Sequence, residues 1–482
     1  MSDKKIKFPT PDKVLLEKPS LKKYLKYLLF FGPGAIVASM TIGQGQLILG
    51  PQIGAWAGFT LLWLITINIG SYIIAYISFR FTALSGISII DVFAKTKKGL
   101  LNWVFLIIML IFLPVFTATI ITTLGQTLTW TFGFGHYLLW GISFALLAAT
   151  LVIIGRYKLL EYTQAFFVAV LGIGAIISVI LIKPDIFEII PNFFLIGNTP
   201  SYPSWVDLVE GFKKTPVPLV MLGYLGTLTI TLVPIVGYLG WIKVKKWGVF
   251  KGKKKPDEFS QELFEEFEKK KKITYLPDDK KEIKKAKTLL KPLLIDLALA
   301  FLIVSVVSAA YMIAGKYLLG PQPDGSYLLP SDVNLIKEQA VIFSNIAAWL
   351  KPLYQVSVFF AIFGTMYAGF EAAARMLYET SKNLISGVRK ISYRKFMIYL
   401  VIYLLGLGIP IAISMLYGVS VILLLSLTLL FIGVIGVIIY GIGTLYINQK
   451  VLPKEYKLGK IGLFLGIVAI ILLCVPFLSF FI

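Results

Sequence analysis

The sequence predicts an all-α integral membrane protein of eleven transmembrane helices, an inverted 5+5 repeat in which helices 1 and 6 are broken. Three observations carry that prediction. The 482 residues are 57% hydrophobic with a mean hydropathy of +0.82, and the apolar residues fall into runs long enough to cross a bilayer. The 47 Lys and Arg are gathered into a few stretches between those runs. Two runs, five apart in order, are interrupted in a way that bilayer depth tolerates only where the backbone is covered by protein or lines a cavity.

In chain order the runs are 27–50, 57–79, 101–124, 137–154, 159–181, 217–242, 293–315, 353–378, 396–417, 419–446 and 461–482. Residues 1–26 form a basic tail and 27–182 the first repeat. A Pro- and aromatic-rich loop, 183–216, leads into the second repeat, 217–446, which carries a charged loop at 243–291, and 461–482 is the appended last span. The Lys-rich tail runs straight into a full-length span, so the first span is read as its own insertion signal and not as a cleaved leader.

The net charge of +22 would suit a nucleic-acid surface, but its distribution argues for topology instead. With the N-terminus in the cytoplasm, 40 of the 47 basic residues fall on that side, 8 in the tail and 4, 2, 17, 5 and 4 in successive loops. That is the positive-inside asymmetry, and it makes nucleic-acid binding unnecessary. The expected location is the plasma membrane, with the C-terminus outside. Within 243–291, 17 Lys and 9 acidic residues flank Phe259, Leu263 and Phe267 at i, i+4 and i+8 behind Pro256-Asp257, the pattern of one short amphipathic helix. This stretch is read as a solvated loop that contacts anionic lipid headgroups, with docking of a regulatory partner as the alternative.

Cys474 is the only cysteine and reads as packing, leaving no intrachain disulfide or multi-cysteine metal site. The only histidine, His136, falls in an outer loop. No phosphate-binding Gly-x-x-x-x-Gly-Lys-Ser/Thr loop is present. The reading is therefore of a protein that is not an enzyme and needs no cofactor. Its partners are the lipid bilayer and a small solute or cation, with a coupling ion.

The first interruption is Gly43-Gln44-Gly45-Gln46 and the second lies in Thr227-Leu-Thr-Ile-Thr-Leu-Val233-Pro234-Ile235-Val236-Gly237. Broken helices near the midplane offer a solute the carbonyls that end one half and the N–H groups that open the other. The expected substrate-binding residues are Ile42, Gly43, Gln44, Gly45, Gln46, Thr231, Val233, Pro234, Ile235 and Gly237, with dipole-positive ends near Gln46 and Val236. A proline kink beside a glycine is the plainer reading of either break alone; their pairing favours the repeat.

The motif Gly32-Pro33-Gly34, eight residues of helix, the four-residue break and then Gly54-Ala55-Trp56-Ala57-Gly58-Phe59-Thr60-Leu61-Leu62-Trp63 resembles the Nramp family of proton-coupled divalent-metal transporters. Weaker matches are Gly155-Arg156-Tyr157 through Glu161 and Gly226-Thr227. The resemblance implies the inverted-repeat fold of the leucine transporter and coupled metal-ion transport. The chain departs from the family at the ligands. Where the family has Asp-Pro-Gly-Asn in the first break, Gly43 replaces the metal-binding Asp and Gln46 the Asn; where it has Met-Pro-His in the sixth span, this chain has Val233-Pro234-Ile235. No Asp or Glu occurs between Glu17 and Asp91 or between Asp91 and Glu161.

A desolvated dication lacks a carboxylate there, and a transition metal lacks its soft ligand. Gln44 and Gln46 are the only weak metal candidates, for a monovalent or mostly hydrated ion. The Gly-x-Gly break also resembles the element that amino-acid carriers of the amino acid–polyamine–organocation superfamily use on a substrate carboxylate. Three readings stay open: a metal-cation carrier, a carrier of an amino acid or small carboxylate, and a transporter-shaped sensor. Ionisable residues within spans are functional candidates by default. Glu371 and Arg375, at i and i+4, form a pair or a gate; Asp296 lies close enough to Lys291 to reach the interface; Glu161 is implied by the resemblance to join an inner-gate salt bridge.

Overall fold

The computed structural model describes residues 5–154, 157–210, 212–331, 335–344 and 346–481; most side chains of 157–171 lie outside that description. The first span is two half-helices, α1a (Pro33–Ile42) and α1b (Gln44–Ala57), hinged at Gly43. It starts later than the hydrophobic run suggested. Gly32 adopts φ −152°, ψ −92° and Pro33 opens the helix, the position where its missing N–H costs nothing. The preceding segment Leu21–Phe30 turns away by 72°.

Then come α2 (Ile69–Ser85), α3 (Leu100–Phe132), α4 (Tyr137–Ile154) and α5 (Tyr157–Ile182). The sixth span is again halved, into α6a (Val217–Leu228) and α6b (Leu232–Val244). α7 (Lys291–Leu318), α8 (Leu350–Ser381) and α9 (Tyr393–Ser414) follow. α10 runs from Val421 to Val451 through a π-helical turn at Leu430–Ile435, and α11 is Lys460–Cys474. Among the described residues nine helices are long and apolar enough to cross a membrane. They are α2, α3, α4 and α6 to α11. The first span is divided at Gly43, and part of the fifth lies outside the described residues.

The helices sort into two groups of four. α1, α2, α6 and α7 pack on one another, and so do α3, α4, α8 and α9, with α5 and α10 beside them and α11 against α2. Each group therefore holds helices n and n+5, as a 5+5 repeat requires. Backbones of α1b and α7 touch because a Cβ on Gly54 would overlap the Met312 carbonyl and one on Gly315 the Pro51 carbonyl. Only glycine permits that approach.

The basic loop is not a solvated strand of chain. It folds into two helices, Pro256–Lys270 and Lys280–Leu289, where one was expected. Leu263, Phe264 and Phe267 are buried, as are Ile273, Tyr275 and Leu276. The Tyr275 hydroxyl donates to the Ser85 carbonyl (2.7 Å) and the Tyr456 hydroxyl to Pro277 (2.6 Å). The N-terminal tail joins this cap through Ile6 N–H to the Tyr275 carbonyl (2.8 Å) and Phe8 N–H to Glu282 (2.7 Å). The sequence missed this docking because it depends on residues hundreds of positions away.

Opposite this lysine-rich face, loop 183–216 meets a two-stranded hairpin, β1 (Gly320–Pro321) and β2 (Tyr327–Leu328), by stacking Trp205 on Tyr327. The α1b side chain of Gln52 donates to the Pro330 carbonyl at 2.7 Å, and Gln339 donates to the Ile48 carbonyl at 3.3 Å. The hairpin's loop is thereby tied to the first span, and loop 183–216 reaches it through Tyr202, whose ring centre lies 4.4 Å from that of Trp56.

Candidate functional site

Where the two breaks face each other, between α3, α8, α9 and the π turn of α10, lies a cavity of about 60 Å³, room for a few waters. Its polar lining is threonine: Thr41, Thr117, Thr227, Thr229, Thr231 and Thr365, with Met40 and Met366 among the apolar residues. No side chain with a formal charge lines it. The half-helices α1b and α6b begin at its wall, so their N-terminal partial positive charge and the carbonyl ends of α1a and α6a act on whatever occupies it.

The sixth-span break begins earlier than the proline suggested. The chain leaves helix at Thr229-Ile230-Thr231, and Pro234 stands in the first turn of α6b, where a proline is tolerated. The positive helix ends are accordingly near Gln44 and Leu232, in place of Gln46 and Val236. The Thr229 hydroxyl lies 3.0 Å from the Gly226 carbonyl and 2.9 Å from that of Gly433 in the π turn. One side chain thus serves the open carbonyls of both elements. π turns recur at functional sites.

Of the expected residues, Gly45, Thr231, Val233 and Pro234 line the cavity. Ile42 closes α1a in the core, the Ile235 N–H caps back on the Thr231 carbonyl at 3.0 Å, and Gly237 faces Trp241 and Ala372. Gln44 donates to Thr123 (3.1 Å) and accepts from Thr119 (3.4 Å); Gln46 donates to Thr227 (2.7 Å). Neither amide is among the lining residues, and Gln46 Oε1 is buried without a hydrogen-bond partner. Gly43 and Gly45 are also places where α8 and α6a approach closely. A Cβ at Gly43 would overlap the Thr365 hydroxyl, and one at Gly45 the Thr227 methyl. Sequence reasoning missed Met40, Thr41, Thr117, Thr365 and Met366; threonine and methionine inside apolar runs were the available signal.

Asp296 does not reach the interface. It is 0% exposed, and its carboxylate accepts from the Gly32 N–H (2.8 Å), the Gly34 N–H (2.7 Å) and the Tyr238 hydroxyl. An anion at a helix start is stabilised by the dipole and by charge-assisted bonds. Here it ties α1a to α6b and α7. A Cβ at Gly34 would lie 2.8 Å from Asp296 Oδ1, so glycine there makes room for the carboxylate.

Glu371 and Arg375 do pair: Arg375 Nη2 and Nε lie 2.6 and 2.9 Å from Glu371 Oε1, to which the Tyr393 hydroxyl also donates at 3.3 Å. The guanidinium sits 5.2 Å from the centre of the Tyr393 ring. Arg375 packs on Gly240 of α6b, where a Cβ would come within 2.9 Å. Glu371 lies level with the cavity-lining Phe370 and Ala373, and Arg375 one turn nearer the lysine-rich face. The side chain of Glu161 lies outside the described residues. No group of three or more His, Cys, Asp or Glu side chains suited to a metal ion occurs among the described residues.

Solved structures share the fold. A mutant of the Eremococcus coleocola manganese transporter aligns with a TM-score of 0.62 at 15% identity, covering 96% of this chain and 90% of that one. A complex of the same transporter with an aromatic bis-isothiourea compound gives 0.60 at 15% identity, with 96% and 88% covered. A nucleobase-cation-symport-1 family transporter in a closed conformation with bromovinylhydantoin bound gives 0.51 at 12% identity, with 92% and 90% covered. No curated protein matches the sequence. The model of the natural resistance-associated macrophage protein-like family, Nramp, matches residues 34–481, and with broken first and sixth spans meeting at a cavity in a leucine-transporter-type fold, the chain belongs to that family.

Proposed function

We propose that this protein is a secondary active transporter of the plasma membrane whose lysine-rich face is cytoplasmic, and that it carries a small solute bearing a carboxylate or comparable anionic group. The carrying observation is the pair of half-helix N-termini that open at a threonine-lined cavity with no charged side chain. Positive helix ends suit an anionic group. Thr41, Thr117, Thr227, Thr229 and Thr365 already give their hydroxyl protons to backbone carbonyls, so Thr231 is the lining hydroxyl left to donate. A bare dication in the same place would have no compensating charge, which argues against tight manganese or iron binding despite the fold shared with a manganese transporter. The positive-inside rule supports the orientation.

A second reading has its own observation. Met40 and Met366 both line the cavity, and thioethers favour soft metal ions, so a cation route can rest on residues other than the family's usual ligands. Reconstitution in liposomes separates the two, with uptake of manganese, magnesium and a labelled amino-acid mixture measured with and without a proton gradient. Saturable amino-acid uptake, reduced tenfold or more by Thr231→Val and indifferent to Met40→Leu/Met366→Leu, supports the solute reading. Metal flux lost in the double leucine variant replaces it with the cation reading.

A further inference from the structure

On the lysine-rich side of the Glu371–Arg375 pair a second chamber opens, about 380 Å³ in volume. It continues the same helices as the central cavity. On α8 the cavity is lined by Ala373 and the chamber by Glu379; on α6b by Pro234 and then Lys243; on α9 by Leu404 and then Tyr393. The chamber is roofed by the helix Pro256–Lys270, which contributes Asp257, Ser260 and Phe264 to its wall. Cavity, charged chamber with Arg375 in its wall, and roof therefore follow one another along the same helices.

We propose that helix Pro256–Lys270 is a lid on the cytoplasmic exit, latched electrostatically across the two four-helix groups. It rests on the transporter reading above. The lid holds the first group through Asp257 to Lys243 of α6b at 3.3 Å and through Leu263 against Gly86, which caps α2. It holds the second through Glu268 to Lys95, ahead of α3, at 2.6 Å and Glu265 to Arg389, ahead of α9, at 4.0 Å. If the groups move against each other to open the exit, these contacts across the seam must part. The acidic partners sit at the water boundary, with the Lys95–Glu268 side chains 30% and 29% exposed and Arg389–Glu265 both 54% exposed. Ion pairs in such positions are weak and screened by salt. That suits a latch which releases, and it makes the lid responsive to cytoplasmic ionic strength.

The test reads access, not flux. In a Cys474→Ser background, Ala373→Cys reports the cavity wall through its rate of modification by a membrane-impermeant methanethiosulfonate reagent applied to the lysine-rich face. Glu265→Lys/Glu268→Lys should raise that rate five-fold or more, and adding Lys95→Glu/Arg389→Glu should bring it back. An unchanged rate, or a rise that the counter-reversal does not restore, overturns the latch. Should the charge variants fail to fold, raising salt from 0.05 to 0.5 M on the otherwise native lid must accelerate labelling, and a salt-independent rate rejects the proposal. Labelling needs no cargo, so its failure leaves the transporter reading intact, and an absence of flux leaves the lid result standing.

Discussion

At Gly43 the absence of one carbon decides whether α8 can close on the first break. Thr365 occupies the space a Cβ would need, so Gly43→Ala forces overlap in a packed interior and should cost about 1–3 kcal/mol. Trimming the partner tests the cause: Gly43→Ala/Thr365→Ala should regain much of the lost thermal stability, whereas equal losses in the single and double variants would place the effect in the backbone hinge. Glu338, in the loop between α7 and α8, offers a pH handle. Burial lifts its carboxyl from the ordinary 4.5 to about 7 against the opposing pull of Lys337, and one of its oxygens is buried without a hydrogen-bond partner. The folded state holds this proton more tightly than the unfolded one. Its contribution is therefore fully favourable below about pH 4.5 and is lost as pH rises toward 7. The melting temperature in detergent should fall between pH 5 and 8, and Glu338→Gln should flatten that part of the profile; a parallel slope in the Gln variant would assign the pH dependence elsewhere.

The broken helices show at the scale of elements which signals travel through sequence. The first break was legible because two glycines interrupt an apolar run and weaken a helix there, although only Gly43 leaves helical geometry while Gln44, Gly45 and Gln46 open α1b. The second was misplaced by a few residues because Pro234 drew attention while the interruption is set by Thr229, whose partner carbonyl in the π turn of α10 lies 204 positions away. No local pattern encodes that bond. Thr229→Val keeps the shape and removes the donor, leaving two buried carbonyls poorer by a hydrogen bond, at a cost of about 1–3 kcal/mol. Thr229→Ser should preserve thermal stability and Thr229→Val should lower it; equal melting temperatures would mean that the hydroxyl does not hold the π turn to the break. In the basic loop, by the same logic, the Phe259, Leu263 and Phe267 spacing announced a helix, but not the Gly86 surface on which it settles.

Across the whole molecule, span order and the basic asymmetry were readable because both are one-dimensional: runs of apolar residues and counts of lysine between them. The cavity was not, since its threonines come from α1a, α3, α6 and α8 and meet only when helices n and n+5 assemble. One consequence of the one-dimensional reading can be checked directly. The tail is pinned to the lysine-rich face by the Lys5–Asp278 ion pair and by Phe8 on Glu282. α11 starts at Lys460, at the end of a basic connection, and finishes in Val475–Phe480 with Phe481 87% exposed. An odd number of crossings places the two ends on opposite faces. In the Cys474→Ser background, Lys5→Cys and Phe481→Cys should react with an impermeant maleimide from opposite sides of oriented vesicles, the first only from the cytoplasmic side. Labelling of both from one side would make the number of crossings even. The eleven-span topology would then fail, and with it the assignment of the last helix as a span appended to the 5+5 repeat.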